Sequence, residues 1–277
     1  MKMNPYLLAL VAVFLMGSSG AIIKILDLPP TTLTFFRVAV PTVVLGLYLS
    51  LKRVRLLRYP VGWMLAGSTL NAARIYLYVL SYSYTSIANA IIVLYMWPIF
   101  ATLMSRFFLG EHLPPRNASL LALPFIGILI IFSQQPFSWA NDDFIGMSAM
   151  LASALIYAAT VIIFKKESDK YSGLETVFFQ NAVGSLVFLP LWLLDDTILG
   201  PATLVSLVLF ATTVGVVAFG LYFTALKYIK ASTLSFISYL EVLVATAYGL
   251  LFFGETLTWP TVVGGALIIV STILLKK

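Results

Sequence analysis

The sequence predicts an all-α integral membrane protein of ten transmembrane helices, built as two inverted five-helix repeats. Three observations predict it: a composition too apolar for water, a segregation of charge between alternate loops, and an internal register of 144 residues. The apolar fraction is 61% and the charged fraction 10%, against about 45–50% and about 25% in soluble domains. Most of the surface must therefore face lipid. Runs of about 20 apolar residues, each enough to cross a hydrocarbon core of about 30 Å, recur along the chain, so one membrane domain is expected.

Proline, glycine and charge breaks place the spans in order. The first, 6–25, passes through Gly17-Ser18-Ser19-Gly20-Ala21, which mimics a signal-peptide cleavage site. The run continues through Ile22 and Ile23 to Lys24 and many similar runs follow, so it is read as a transmembrane helix. Spans two to five follow at 31–50, 61–81, 86–108 and 116–133, and spans six to ten at 144–164, 174–194, 203–224, 232–252 and 258–275. The loops between them alternate in sign. One side collects Lys52 to Arg58, Arg106 with Arg116, Lys165 to Lys170, Lys227 with Lys230, and the termini; the other collects Asp27, Asp142, Asp143, Asp195, Asp196 and Glu255. The positive-inside rule puts both termini in the cytoplasm of a bacterial or archaeal inner membrane. The net charge of +6 is thus topology, and nucleic acid is excluded as a partner. One span more or fewer would mix the two signs.

The register pairs Gly110-Glu111 with Gly254-Glu255, Tyr78 with Tyr222, Tyr95 with Tyr239, and Ala101-Thr102 with Ala245-Thr246, each at the same offset of 144. The repeats run over 1–134 and 144–277. Because each holds an odd number of spans, the second must enter the bilayer upside down. Inverted repeats let two halves exchange roles around a site near the midplane, which implies a carrier working by alternating access. A static scaffold or sensor has no need of interchangeable halves.

Tyr95-Met96-Trp97-Pro98-Ile99-Phe100-Ala101-Thr102 running to Gly110-Glu111, with Tyr239-Leu240-Glu241-Val242 and Ala245-Thr246 running to Gly254-Glu255, resembles the paired EamA domains of the drug/metabolite transporter superfamily. Met16-Gly17-Ser18-Ser19 followed by Lys24 resembles the family's Trp-Gly-Ser opening, and Arg37 sits where its second helix commonly carries an arginine. Met16 stands in place of the usual tryptophan, and Val242 in place of the usual proline. The resemblance spans almost the whole chain. It implies a central cavity lined mainly by spans three, four, eight and nine, gated by rocking of helix groups, with spans five and ten as scaffold. Characterised relatives carry amino acids, amines or choline, and nucleotide sugars.

Charged side chains inside spans cost about 2.5–3.5 kcal/mol each on insertion scales, so they face a cavity or a partner. Lys24 can snorkel to the outer interface near Asp27, and Arg37 either bridges a neighbouring helix or meets ligand. Arg74 is more informative. It lies mid-span on one face with Asn71, Tyr78, Ser81 and Tyr82, where it either pairs with Glu241 or holds a substrate carboxylate or phosphate in its planar donor fork. Glu241 shares a face with Ser238; it is a candidate proton acceptor or amine ligand, or else a packing glutamate. Trp97 is the register partner of Glu241, and Tyr95 that of Tyr239. Aromatic and acidic groups suit an ammonium, and Arg74 suits a carboxylate. An amino acid presents both.

The expected substrate-binding set is Asn71, Arg74, Tyr78, Tyr95, Trp97, Ser238, Tyr239 and Glu241, with Glu241 also the candidate for proton coupling. Lys24, Arg37, Gly17, Gly215, Pro41 and Pro98 are assigned to structure or gating: glycines for close approach, prolines for kinks. No nucleophile–base set, metal cluster or cofactor motif occurs, so enzymatic chemistry is not expected. The expected partners are a small-molecule substrate and the lipid bilayer, and a homodimer is compatible with the reading. The leading expectation is export of amino acids or related amine and zwitterionic metabolites; carriage of anionic metabolites, through Arg37 with Arg74, and amine or choline uptake are the alternatives.

Overall fold

The computed structural model describes residues 4–85, 87–112, 120–133, 141–252 and 258–275. All regular structure among them is helical, and seven helical stretches, three of them counted across a turn of one or two residues, are long and apolar enough to cross a membrane. The helices are α1 (Pro5–Gly17), α2 (Ser19–Leu26), α3 (Pro30–Leu51), α4 (Gly62–Tyr84), α5 (Ile87–Leu94), α6 (Trp97–Phe108) and α7 (Ala122–Ile131). They continue as α8 (Asn141–Glu167), α9 (Gly173–Leu193), α10 (Pro201–Phe210), α11 (Phe219–Tyr228), α12 (Ala231–Ser238), α13 (Leu240–Phe252) and α14 (Trp259–Leu275). A π-helical segment, Ala211–Ala218, joins α10 to α11.

These helices fall on the ten expected spans, with some limits moved. Span six extends to Asn141–Glu167, and span eight runs unbroken over Pro201–Tyr228. Helix α4 has 23 residues but is not among the seven, because Ser68, Asn71, Arg74 and Ser81 dilute its apolar character. Helices α7 and α14 are the shorter apolar pieces of spans five and ten.

Three spans are broken where continuous helices were expected. Span one breaks at Ser18, whose hydroxyl turns back to the Leu15 carbonyl at 2.6 Å. Span four breaks at Tyr95-Met96 and span nine at Tyr239, so these two interruptions fall at register-paired positions. At the first, Pro98 has no N–H to give to the Leu94 carbonyl, and the chain tightens through Met96 N–H to Val93 carbonyl (3.1 Å) and Ile99 N–H to Met96 carbonyl (3.0 Å). At the second, Tyr239 N–H reaches Phe236 (3.1 Å) and Val242 N–H reaches Tyr239 (3.2 Å), the tighter three-residue pattern.

The described residues gather into two compact units, each drawn from both halves of the chain: Met1–Ala72 with Ile163–Ile229, and Ala73–Ile162 with Lys230–Lys277. In the first unit α3 packs on α9, and α1 packs on α11. Pro41 deprives the Arg37 carbonyl of its helical donor, and the π segment closes on that point at Gly215, where an added Cβ would lie 2.6 Å from the Pro41 ring. In the second unit α7 crosses α14 at Gly127 and Gly264, which the absence of side chains brings backbone to backbone. A buried cluster of Tyr95, Ile128, Tyr239, Val242 and Ile268 fills the same unit.

The repeated Gly-Glu motif finds a structural use in its first copy. Gly110, at φ +65°, takes the left-handed conformation that ends α6. Glu111 then caps α12, accepting from the amides of Ala231 (2.7 Å) and Ser232 (3.1 Å) and from the Ser232 hydroxyl (2.7 Å). Gly254-Glu255 lies outside the described residues.

Candidate substrate site

Arg74 sits mid-way along α4 and is buried, at 9% exposure. Its guanidinium carbon lies 4.5 Å from the centre of the Tyr157 ring, a close cation–π contact. Tyr157 in turn packs on Trp97, with ring centres 4.5 Å apart and planes at 51°. One turn before Tyr157 on α8, the buried Ser153 hydroxyl donates to the Arg74 carbonyl at 3.1 Å. The result is a ladder of guanidinium, phenol and indole drawn from three helices.

Beside Trp97 along the chain, Tyr95 and Tyr239 lie nearly parallel with ring centres 6.2 Å apart. Tyr239 is fully buried, and its hydroxyl donates to the Tyr95 carbonyl at 3.1 Å, so each span's interruption is tied to the other. A buried phenol needs such a partner.

The remaining expected residues are distributed as follows. Asn71 is buried one turn before Arg74, while Tyr78 is half-buried on the same face. Ser238 is buried and its hydroxyl turns back to the Leu234 carbonyl at 3.0 Å. Glu241 is half-buried in the first turn of α13, where a carboxylate complements the positive end of that half-helix. Pro98 is the second residue of α6, and its carbonyl accepts the Thr102 hydroxyl at 2.8 Å. Gly17 is the last residue of α1, and the side chain of Lys24 lies outside the described set. In the other unit the Arg37 guanidinium lies 6.0 Å over Phe219.

Titratable groups in the loops serve as staples. The Arg58 fork grips Glu175 on two nitrogens, one at 2.9 Å, and this hydrogen bonding holds the guanidinium above its ordinary pKa. Glu175 also closes a capping box with Ser172 at the start of α9. Asp195 accepts from the hydroxyls of Thr197, Thr31 and Thr32, which hold its carboxyl well below the usual carboxylate range.

A model of the EamA-like transporter family matches residues 3–133 and 144–276. The chain belongs to this family. Its relatives include the pseudopaline exporter CntI of Pseudomonas aeruginosa, 30% identical over 276 residues that cover 98% of this chain and 95% of CntI. An uncharacterized transporter of Archaeoglobus fulgidus is 26% identical over 215 residues, 78% of this chain and 76% of that one. A solved crystal structure shares the fold with a TM-score of 0.85 at 19% identity, covering 98% of this chain and 96% of the other. As an EamA-like transporter the chain is a multi-pass membrane protein that moves small molecules across a bilayer.

Within this EamA chain the sequence reading missed Tyr157. Register pairing offers no signal for it, because 144 residues earlier stands Val13. The available signal was a tyrosine near the middle of span six with Ser153 one turn before it.

Proposed function

We propose that this EamA-like chain exports amino acids or related small amine and zwitterionic metabolites across the inner membrane, with both termini in the cytoplasm and two inverted five-helix repeats alternating access. The observation that carries this reading is the buried Arg74 guanidinium, faced at 4.5 Å by Tyr157 with Trp97 behind it. A planar fork at membrane depth matches a carboxylate, while the aromatic rings and Glu241 offer the other charge of a zwitterion its partners. The similarity to CntI, an exporter, supports the outward direction. Glu241 is the group that couples protons to the movement. Two interrupted helices meeting through Tyr95 and Tyr239 fit a binding region built from broken spans.

Substrate-dependent counterflow in proteoliposomes tests this. Arg74→Ala and Glu241→Gln should each abolish exchange of a labelled amino acid while the purified variants keep the wild-type unfolding temperature. Unchanged exchange in both would remove the assignment.

A further inference from the structure

Tyr157 contacts both Arg74 and Trp97, and nothing in the register or the family motif points to it. The in-plane N–H groups of a guanidinium make the bidentate contact to a carboxylate, whereas its face is where an aromatic ring stacks. With the Tyr157 ring centre 4.5 Å from the guanidinium carbon, the ring bounds the space in which the Arg74 donor plane can turn. Trp97 buttresses the ring with its centre 4.5 Å away, at 3% exposure. Ser153, four residues before Tyr157, fixes the Arg74 backbone from the same face of α8. Helix α8 thus sets both ends of the arginine, the carbonyl through a hydroxyl and the guanidinium through a ring.

We infer that Tyr157 is a positioning residue that orients the Arg74 fork for a substrate carboxylate and so sets the selectivity of the carrier for carboxylate-bearing over carboxylate-free amines. This rests on the reading of Arg74 as a substrate contact. The aromatic ring carries the effect, not the phenol hydroxyl. Removing the ring leaves Arg74 its charge but takes away one of the contacts that order its guanidinium, so affinity for carboxylates falls while affinity for plain amines does not.

The test is thermal stabilisation of purified protein by the common amino acids, each beside its decarboxylated amine, followed by titration with the most stabilising amino acid and that amine. The expected results are loss of amino-acid binding in Arg74→Ala, about tenfold weaker amino-acid binding with unchanged amine binding in Tyr157→Leu, and wild-type binding of both in Tyr157→Phe. Should the leucine variant not fold, Tyr157→Met is judged by the same criterion. If Arg74→Ala abolishes binding but the leucine variant keeps its selectivity, or the phenylalanine variant fails equally, the inference is overturned and the site stands. Undiminished binding in Arg74→Ala, or stabilisation by none of the amino acids, overturns the site and this inference together.

Discussion

Spans four and nine are interrupted at positions 144 residues apart, yet by different chemistry. Span four has Pro98, which has no N–H to give to the Leu94 carbonyl. Span nine has Val242 at the matching position, with an intact N–H that donates to Tyr239 at 3.2 Å. Its interruption nonetheless stands, tightened into three-residue hydrogen bonds and anchored by the Tyr239 hydroxyl on the Tyr95 carbonyl. A broken helix in lipid must satisfy every freed backbone group from within the protein. What the two halves share is therefore the place of the break and its cross-tie; proline is one way of making it.

Proline scanning along α13 puts the largest expected effect on this comparison. Proline at Ala245, inside the half-helix, removes a hydrogen bond and clashes with the preceding turn, for about 3 kcal/mol. At Val242, in the first turn, the lost bond is a weak one and the cost should be about 1 kcal/mol. Chemical unfolding in detergent measures both. Equal losses at the two sites would mean that span nine behaves as a continuous rod.

Next in size is the cross-tie. Tyr239→Phe keeps the ring in the cluster of Tyr95, Ile128 and Ile268 but leaves the Tyr95 carbonyl without the hydroxyl that now reaches it at 3.1 Å. A buried acceptor so deprived costs about 1–3 kcal/mol. The same unfolding series should place Tyr239→Phe below the Ala245 proline and at or above the Val242 proline. A loss indistinguishable from zero would show that the break in span four is satisfied without span nine.

These breaks mark the boundary of what sequence reading reaches. Hydropathy and loop charge report averages over about 20 residues, so they locate spans well, and the Gly-Glu and Tyr pairs fix the register because whole motifs repeat. A turn of one or two residues leaves no such average. Pro98 hinted at one interruption; Tyr239 gave no hint, since its bonding is a matter of three-dimensional neighbours. The site divides similarly. Arg74 and Trp97 stand out because charge and indole are costly or rare at that depth, whereas Tyr157 becomes informative only once α8 is seen to carry it against both. In the sequence the Gly-Glu pair marks the register and the family motif, while its capping work shows only in the packing of α6 on α12.

A smaller effect concerns how span nine begins. Glu111 satisfies the amides of Ala231 and Ser232 at the start of α12, one half-helix before the break. Glu111→Ala should cost about 1 kcal/mol, the usual value of an N-terminal cap, with Glu111→Gln recovering part of it because the amide oxygen still accepts. Hydrogen exchange at Ala231 and Ser232 should rise in the alanine variant while that at Val242 stays unchanged. Faster exchange at both would mean that α12 and α13 melt as one element, which erases the distinction between a broken span and a bent one.

The smallest expected effect supplies the control, because it acts in the other unit. Asp195 is held below the usual carboxylate range by the hydroxyls of Thr197, Thr31 and Thr32. A carboxyl whose folded pKa is depressed binds its proton more readily when unfolded, so its contribution is complete above the unfolded value of about 4 and is lost as pH falls through the lower folded one. Wild-type protein should therefore lose slightly more thermal stability between pH 6 and pH 3 than Asp195→Asn does, the asparagine having no proton to take up. Exchange at Val242 and Met96 should be insensitive to that substitution, since the tie between the two breaks joins a phenol to a carbonyl. If the Asn variant altered exchange at those amides, the hydroxyl cluster at Asp195 and the paired breaks would be energetically coupled, and the tie at Tyr239 would no longer account for the second break by itself.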